Sequence, residues 1–253
     1  MRPGTPIWLG NGAGTVVAIN AVSAAEVASP FELAPVTGVI LAGGQGRRMG
    51  GVDKGWVPWR GRPLVAWAIE RLAPQVDQLL IVANRSQSAY ATLGHPVVSD
   101  PEPWRFAGPL AGVVAALTAA PTEWIVTVPC DSPLLPGDLV ARFRAALAGA
   151  DGLCGALAPL LVAHDGACAH PVFLAVHRRH LAGLTDFLTS GRRRIDAWYG
   201  TLPHLLVSFA DEPDAFANGN TPDELAALAE RNAAPLSSRL LSDASGVAPG
   251  PSG

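Results

Sequence analysis

The feature that most constrains this sequence is the alternation of short apolar runs with segments of helical periodicity. Apolar runs rich in strand-forming residues occur at 37–44, 78–84, 95–100, 123–131, 171–176 and 204–210. Between most of these runs, apolar residues recur at intervals of three and four, which places them on one face of a helix. Near-continuous apolar strands separated by helices predict a three-layer α/β/α domain with a mostly parallel, Rossmann-like central sheet.

Three apolar helix faces carry this prediction. They comprise Val65, Ile69 and Leu72; then Leu110, Val113, Val114 and Leu117; then Leu139, Val140, Phe143 and Leu147. A further helix is predicted after Thr221, because the sequence TPDE forms a capping box with proline at the first helical position.

The two ends of the chain differ from this middle part. A chain of 253 residues suits one domain, since domains usually have about 100–200 residues. Residues 1–35 show no sustained helix or strand period, and residues 233–253 are small, polar and rich in proline and glycine. We therefore predict a flexible N-terminal extension at 1–35, a domain at 36–232 and a disordered tail at 233–253.

Composition narrows the class of partner. The net charge is −3 and the chain has no long basic stretch, so a nucleic-acid-binding surface is not expected. No apolar run approaches the roughly 20 residues of a membrane span. A cytoplasmic protein with small-molecule ligands is the resulting prediction. Cys130, Cys154 and Cys168 lack CxxC spacing, which favours buried free thiols over disulfides or a zinc site.

A glycine-rich loop follows the first predicted strand. Residues 41–55, LAGGQGRRMGGVDKG, contain six glycines and three of the eighteen Lys and Arg residues. Ligands of parallel sheets bind beyond the carboxyl ends of the strands. Glycines there let backbone amides approach a polyphosphate, while Arg48 and Lys54 can neutralise its charge. Met49 and Val52 break the dinucleotide and P-loop motifs, so a phosphate-binding loop of another type is predicted.

Two aspartates end apolar runs further along the chain. Asp131 closes EWIVTVPCD, where a strand-end carboxylate can hold Mg²⁺ against nucleotide phosphates. It lies too far upstream of the helix expected near Pro136 to be a simple helix cap. Asp100 closes VVSD in a similar position, and its alternative role is to start a turn before Pro101.

Several motifs together resemble one family. LAGGxGxRM followed by DKG resembles the nucleotidyltransferase signature, and the form GGxDKG is similar to the molybdenum cofactor guanylyltransferase family. The motifs VANR, SD, GPLAG, PCDSP, AHP and NGNTPDEL follow in the family's order, so the likeness covers residues 37–232. It implies transfer of GMP from GTP to the terminal phosphate of molybdopterin, with release of pyrophosphate. Other cofactor-biosynthesis proteins or recipient apoenzymes are the implied protein partners.

The resemblance also assigns roles to residues. Arg48, Lys54 and Asp131 would act in catalysis, with Mg²⁺ held by Asp131. The implied GTP-binding residues are Leu41, Ala42, Gly43, Gly44, Lys54, Asp100 and Asp131. The backbone carbonyls of 41–43 can accept the N1 and N2 hydrogen bonds of guanine. Family members often carry an asparagine where this chain has Val82, so that nucleotide contact is expected to be absent or moved.

Fewer residues can be assigned to the binding of the acceptor, molybdopterin. Asn218 and Asn220 resemble a motif near the metal and the acceptor, and their alternative role is helix entry before Thr221. Arg193 lies in the basic cluster 192–194, which suits an anionic pterin phosphate or, equally, a solvated helix face. His170 resembles a family HP pair, although an isolated histidine is more often structural.

Other functions remain open at this stage. The enzyme could transfer CMP to the same pterin or a nucleotide to a sugar phosphate, and LAGG rather than LAAG favours guanylyl transfer by resemblance. A nucleotide-binding cofactor chaperone without activity is the alternative from another class. Lys54 and Asp131, both present in this chain, argue against it.

Overall fold

The structure is a computed structural model and describes residues 7–10, 16–19, 35–44, 52–149, 158–212, 214–219 and 221–231. The strands are β1 (Ile7–Gly10), β2 (Val16–Ile19), β3 (Val36–Leu41), β4 (Pro58–Trp59), β5 (Arg62–Pro63), β6 (Gln78–Val82), β7 (Val97–Val98), β8 (Trp124–Pro129), β9 (Leu160–His164), β10 (Ala169–His177) and β11 (His204–Ser208). The α-helices are α1 (Leu64–Leu72), α2 (Gln87–Ala91), α3 (Pro109–Ala119), α4 (Leu139–Ala148), α5 (Leu181–Thr189), α6 (Ile195–Tyr199) and α7 (Pro222–Arg231).

The central sheet has nine strands in the order β2-β1-β11-β9-β10-β8-β3-β6-β7. Strands β8, β3, β6 and β7 pair in parallel, and so do β9 and β11. From β3 onwards, β10 alone among the described strands of this sheet runs antiparallel to its neighbours. Its direction follows from the loop 165–168, which is too short for the crossover that parallel strands need. The predicted mostly parallel sheet is confirmed, whereas strand β9 was missed.

Helices cover both faces of this sheet. The core on one face contains side chains of α1 and α4, and the core on the other contains side chains of α3, α5 and α6. Neighbouring strand residues alternate between the two cores, as Ile40 and Val39 do in β3 and Ile81 and Leu80 do in β6. This arrangement confirms the three-layer prediction.

The predicted helix faces and the predicted start of α7 agree with the structure, whereas α4 begins at Leu139 rather than near Pro136. Ile69 is partly buried, and the other residues of the three apolar faces are buried. The backbone N–H of Glu224 donates a 3.1 Å hydrogen bond to Oγ1 of Thr221, which confirms half of the capping box before α7. No helix in the described part of the chain is long and apolar enough to cross a bilayer.

The N-terminal segment differs from the prediction of a segment without strands. Strand β1 pairs antiparallel with β11, and β2 pairs antiparallel with β1. Each has four residues, IWLG and VVAI, which is too short for a periodicity argument to detect. Pairing satisfies the backbone groups that β11 would otherwise present at the edge of the sheet. The boundary at residue 36 and the two flexible ends stay predictions.

The cysteine prediction is only partly correct. Cys130 is a buried free thiol, as expected. Cys168 is a free thiol as well, but it is exposed because it lies in the short loop between β9 and β10. Cys154 lies outside the described residues.

We expect a chain beginning at Val36 to fold and to keep its activity. Strands β1 and β2 lie at the β11 edge of the sheet, on the far side of β9 and β10 from β3 and β8. Denaturant unfolding and turnover of the shortened and full-length chains would test this. A loss of unfolding free energy beyond about 4–5 kcal/mol, which is exceptional for a single defect, would show that the segment is an integral part of the domain.

Candidate active site

A cavity of about 670 Å³ lies at the carboxyl ends of β3, β6 and β8. It is the place where ligands of parallel sheets bind. The cavity walls contain eight of the residues singled out from the sequence, namely Leu41, Ala42, Gly43, Gly44, Lys54, Asp100, Asp131 and Asn218. Arg48 and Asn220 lie outside the described residues.

Lys54 and Asp131, which both line the cavity, form an ion pair. Nζ of Lys54 donates a 3.1 Å hydrogen bond to Oδ2 of Asp131, and the two side chains are 25% and 11% exposed. Asp131 lies two residues beyond β8, and α4 begins only at Leu139. Asp131 is therefore not the cap of that helix. The pair places one cationic and one anionic group side by side, where a triphosphate and a divalent cation could each find an opposite charge.

Asn84 joins the ends of the neighbouring strands. Its Nδ2 donates to Oδ2 of Asp100 at 2.6 Å and to the carbonyl of Gly43 at 3.3 Å. Its Oδ1 accepts the backbone N–H of Asp100 at 3.0 Å. Asn84 was not predicted as a site residue, whereas Val82, which was considered, also lines the cavity. The signal in the sequence is the asparagine that ends the apolar run QLLIVAN.

The surroundings of Asp100 and Gly43 are correspondingly tight. Burial raises the pKa of Asp100, against the opposing effect of hydrogen bonds from Asn84 and from the backbone N–H of Phe106. A Cβ atom on Gly43 would lie 2.8 Å from Nδ2 of Asn84. Since Asn84 is buried and hydrogen-bonded, a larger residue at position 43 would displace it.

Asp53 also lines the cavity, and no role was predicted for it from the sequence. Its Oδ1 accepts a 2.5 Å hydrogen bond from the hydroxyl of Tyr90, whose pKa is raised chiefly by burial. Oδ2 of Asp53 is buried and has no hydrogen-bond partner among the described residues. A Cβ atom on Gly55 would lie 2.3 Å from the Tyr90 hydroxyl oxygen. The glycine of DKG is therefore needed to let Tyr90 reach Asp53.

Asp53, Asp131 and Cys130 all line the cavity. Burial raises the pKa of Cys130 well above its ordinary value, and the negative charges of Asp131 and Asp53 raise it further. Carboxylate oxygens are the ligands that Mg²⁺ and similar cations prefer. Oδ2 of Asp53, which has no hydrogen-bond partner among the described residues, lies in a cavity that contains a second carboxylate, and a divalent cation would satisfy this buried oxygen.

The first turn of α3 also faces this cavity. Gly108, Pro109 and Gly112 contribute to the wall, and Gly108 has a φ of +95°, which favours glycine. Helix N-termini carry partial positive charge and unpaired N–H groups. The N-terminus of α3 therefore adds favourable electrostatics for an anionic ligand.

The proposed acceptor residues divide into two groups. Asn218 lines the cavity, and its Oδ1 accepts a 2.5 Å hydrogen bond from the hydroxyl of Ser132. Arg193 does not line it: its guanidinium donates to the carbonyls of Leu188 at 2.5 Å and Arg192 at 2.7 Å. The side chain of Arg193 thus binds carbonyl groups at the end of α5, although the backbone of Arg193 lies near Gly108 at the rim of the cavity.

Fold and cavity define the class of protein. The chain has a TM-score of 0.62 to molybdopterin-guanine dinucleotide biosynthesis protein A from Archaeoglobus fulgidus, at 22% identity, covering 78% of this chain and 98% of that one. It has a TM-score of 0.60 to a nucleotidyl transferase from Methanothermobacter thermautotroptrophicus, at 16% identity, covering 78% and 97%. At these identities the likeness shows the fold, which is that of the nucleotidyltransferases.

Sequence comparison gives the family. The family model described as MobA-like NTP transferase domain matches residues 38–204. A molybdenum cofactor guanylyltransferase from Vibrio cholerae is 49% identical over 191 residues, covering 74% of this chain and 88% of the relative. One from Shewanella halifaxensis is 44% identical over 197 residues, covering 78% and 95%. The chain belongs to the molybdenum cofactor guanylyltransferase family and is a nucleotidyltransferase, as the motifs predicted.

Replacing Tyr90 with Phe is expected to impair catalysis. The change leaves the Asp53 carboxylate without its described hydrogen bond, and a hydrogen bond to a charged group contributes about 1.5–3 kcal/mol. We expect kcat/KM to fall about ten-fold or more, measured as pyrophosphate release, with the fold retained by circular dichroism. Tyr199→Phe, in α6, is the matched control. Equal kcat/KM values for both variants would contradict a role for the Tyr90–Asp53 contact.

Proposed function

We propose that the protein transfers GMP from GTP to the terminal phosphate of molybdopterin, forming molybdopterin guanine dinucleotide and pyrophosphate. Membership of the family supports this reaction, and the structural observation that carries it is the Lys54–Asp131 pair in the strand-end cavity. This pair supplies the two opposite charges that nucleotidyl transfer from a triphosphate requires. An inactive cofactor chaperone would not need it.

The reaction explains which groups the site contains. An oxygen of the pterin phosphate attacks the α-phosphorus of GTP, the new P–O bond forms, and the bond to the leaving pyrophosphate breaks. A phosphate monoester is already an anion at neutral pH, so no strong general base is required. Catalysis then rests on positioning and on neutralising the charge of the triphosphate.

Lys54 and the loop after β3 carry the proposed phosphate contacts. Lys54 neutralises charge on the triphosphate, together with Arg48 from the adjoining part of the loop. The N-terminus of α3 contributes its partial positive charge at the same cavity. Asn218, which lies on the cavity wall, is the proposed contact for the pterin phosphate, with Asn220 two residues further along the chain.

A divalent metal ion is typical of this family, and we propose Mg²⁺. Asp131 would hold it, and Asp53 fits as a second oxygen donor because its Oδ2 is buried and unpaired among the described residues. When bound, the ion supplies charge neutralisation to the triphosphate. The ion pair with Lys54 orients the Asp131 carboxylate within the cavity wall.

Guanine selection is proposed to rest on backbone carbonyls. The base offers two hydrogen-bond donors, N1–H and the N2 amino group, so its pocket must present acceptors. The Leu41 carbonyl accepts the N–H of Cys130 at 3.2 Å, and the Gly43 carbonyl accepts Nδ2 of Asn84 at 3.3 Å. The Leu41 carbonyl is thus part of the backbone hydrogen bonding of the sheet, and the carbonyls of Ala42 and Gly43, which lie beyond the strand, are the proposed acceptors for the base.

The substrates, partners and location of the protein also belong to this proposal. GTP and molybdopterin are the expected substrates, and cofactor-biosynthesis proteins or recipient apoenzymes are the expected partners. Residence in the cytoplasm stays a prediction from composition. Arg193 is retained only as a backbone element of the rim, since its guanidinium is occupied at the end of α5.

Replacing Asp131 with Ala is expected to abolish transfer while the fold survives. The carboxylate lies beyond a strand end and contributes little to core packing, but its loss removes the proposed metal ligand and the Lys54 partner. We expect kcat to fall by about 10²–10³-fold, the usual loss for a group that stabilises the transition state electrostatically. Pyrophosphate release in Mg²⁺ measures it, and Asp186→Ala on the exposed face of α5 is the control. Near-normal turnover of Asp131→Ala would refute the metal assignment.

GTP is expected to bind more tightly than CTP or ATP. An unpaired acceptor in a partly buried pocket costs about 1–3 kcal/mol, so each wrong base should bind about ten-fold to a hundred-fold more weakly. Titration of the protein with each triphosphate in Mg²⁺ measures this preference. Equal affinities, or tighter binding of CTP, would contradict guanylyl transfer and favour cytidylyl transfer.

Two variants separate base recognition from charge recognition in the same titration. Gly43→Ala should weaken GTP binding because its Cβ would displace Asn84, and Gly137→Ala, with open space around its Cβ, is the control. Lys54→Ala should weaken all three triphosphates alike, because Lys54 neutralises phosphate charge. Selective loss of GTP binding in Lys54→Ala would contradict these roles.

A further inference from the structure

Three potential metal ligands of different chemistry meet in the hairpin between β9 and β10. Asp165, Cys168 and His170 offer an oxygen, a sulfur and a nitrogen, and these atoms all lie within 4.8 Å of one another. None of the three lines the cavity described above. The cluster is therefore a separate feature of the molecule, which nucleotidyl transfer does not use.

The spacing of the three atoms is close to that of a tetrahedral zinc site. Sγ of Cys168 lies 3.6 Å from Oδ2 of Asp165 and 3.8 Å from Nε2 of His170. Nε2 of His170 lies 2.8 Å from Oδ2 of Asp165. Zinc–ligand bonds of about 2.0–2.3 Å in tetrahedral geometry place ligand atoms about 3.3–3.6 Å apart. Shifts of about 0.5 Å or less would convert the cluster into three zinc ligands.

The turn holds the aspartate in position for this role. Oδ1 of Asp165 accepts the backbone N–H groups of Ala167 and Cys168, both at 2.7 Å. The other oxygen, Oδ2, is the one that faces Cys168 and His170. Gly166 has a φ of +98°, and a Cβ there would lie 2.9 Å from Cβ of Ala210. The backbone therefore already has the conformation that brings the ligands together.

The imidazole of His170 is held from its other side. Its ring stacks on Phe216 with centroids 4.4 Å apart and an interplanar angle of 13°. The side chains of Asp165 and His170 are 17% and 21% exposed, and Cys168 is exposed. An ion can thus reach the cluster from solvent, and a water molecule can complete four-coordination.

We propose that Asp165, Cys168 and His170 form a binding site for a borderline transition-metal cation, with Zn²⁺ as the best match. Thiolate and imidazole ligands select zinc-like ions, whereas Mg²⁺ prefers oxygen ligands throughout. On binding, the Cys168 thiol loses its proton to solvent and the sulfur forms a bond to the metal. The neutral imidazole of His170 carries its proton on Nδ1, so that the lone pair of Nε2 replaces the contact with Asp165.

Metal titration of the full-length chain tests the site independently of its activity. Metal-free protein in excess Mg²⁺, which occupies oxygen-ligand sites, is titrated with Co²⁺ and then with Zn²⁺. We expect one equivalent of Co²⁺ to give a thiolate-to-cobalt charge-transfer absorption band, which Zn²⁺ abolishes by displacement. Zn²⁺ should also protect Cys168 from alkylation, read as a modified peptide by mass spectrometry.

Variants assign the ligands. Loss of an outer-shell partner already weakens metal binding by about 10–100-fold, so Cys168→Ser and His170→Gln should each weaken Zn²⁺ binding by at least about ten-fold. Cys168→Ser should also remove the charge-transfer band. Cys154→Ser and His95→Gln are the controls, and each should keep the Zn²⁺ affinity and the charge-transfer band of the parent chain. If His170→Gln disturbs the contact with Phe216, Cys168→Ser still tests the site, because Cys168 is exposed and its replacement does not disturb that contact.

Two results would overturn the proposal. One is Co²⁺ binding without a thiolate band, or no stoichiometric binding at all. The other is equal Zn²⁺ affinity in the parent chain and in Cys168→Ser. Neither readout depends on GTP or molybdopterin, so failure of the zinc site leaves the proposed transfer reaction untouched.

Discussion

Parallel pairing of β3 with β6 and β8 is the constraint on which the rest of the site depends. Hydrogen bonds continue one step past the strands, from the N–H of Ala42 to the carbonyl of Val82 and from the N–H of Cys130 to the carbonyl of Leu41. The three chain segments therefore leave the sheet together at one edge. Gly43, Asn84 and Asp131 meet there because the ladder holds their backbones, and not because any local motif does.

Polar groups at this edge of the sheet are paired with one another. Burying an ionised group is costly unless it is paired or hydrogen-bonded. Lys54 pairs with Asp131, Asn84 satisfies Asp100, and Tyr90 donates to Asp53. A substrate or cation that enters the cavity would replace one of these partners. Each charged group would then stay paired, so the site would not destabilise the fold. Oδ2 of Asp53 has no hydrogen-bond partner among the described residues, and for this reason we propose it as a ligand of the cation.

Much of the fold could be predicted from the sequence, because local periodicity reports which face of a helix or strand is buried. Short local motifs also predicted the capping box at Thr221 and the position of Asp131 beyond β8. The family resemblance added the motifs that line the cavity. Contacts that the local pattern does not encode were missed: Asn84 acts on a residue 41 positions away, and Tyr90 on one 37 positions away. Strand β9, LLVAH, was also missed, although the strands β6 and β11, of the same length, were predicted.

The segment at 218–219 closes the site from the far end of the domain. Its contacts are the hydrogen bond from Ser132 to Asn218, across 86 residues, and that from the N–H of Gly219 to the carbonyl of Asp131. During synthesis on the ribosome, the sheet edge with Lys54 and Asp131 emerges long before this segment does. Closing so long a loop is slow, and domains generally fold as units. The wall that Asn218 contributes to the cavity therefore forms only after 86 residues beyond Ser132 have been synthesised.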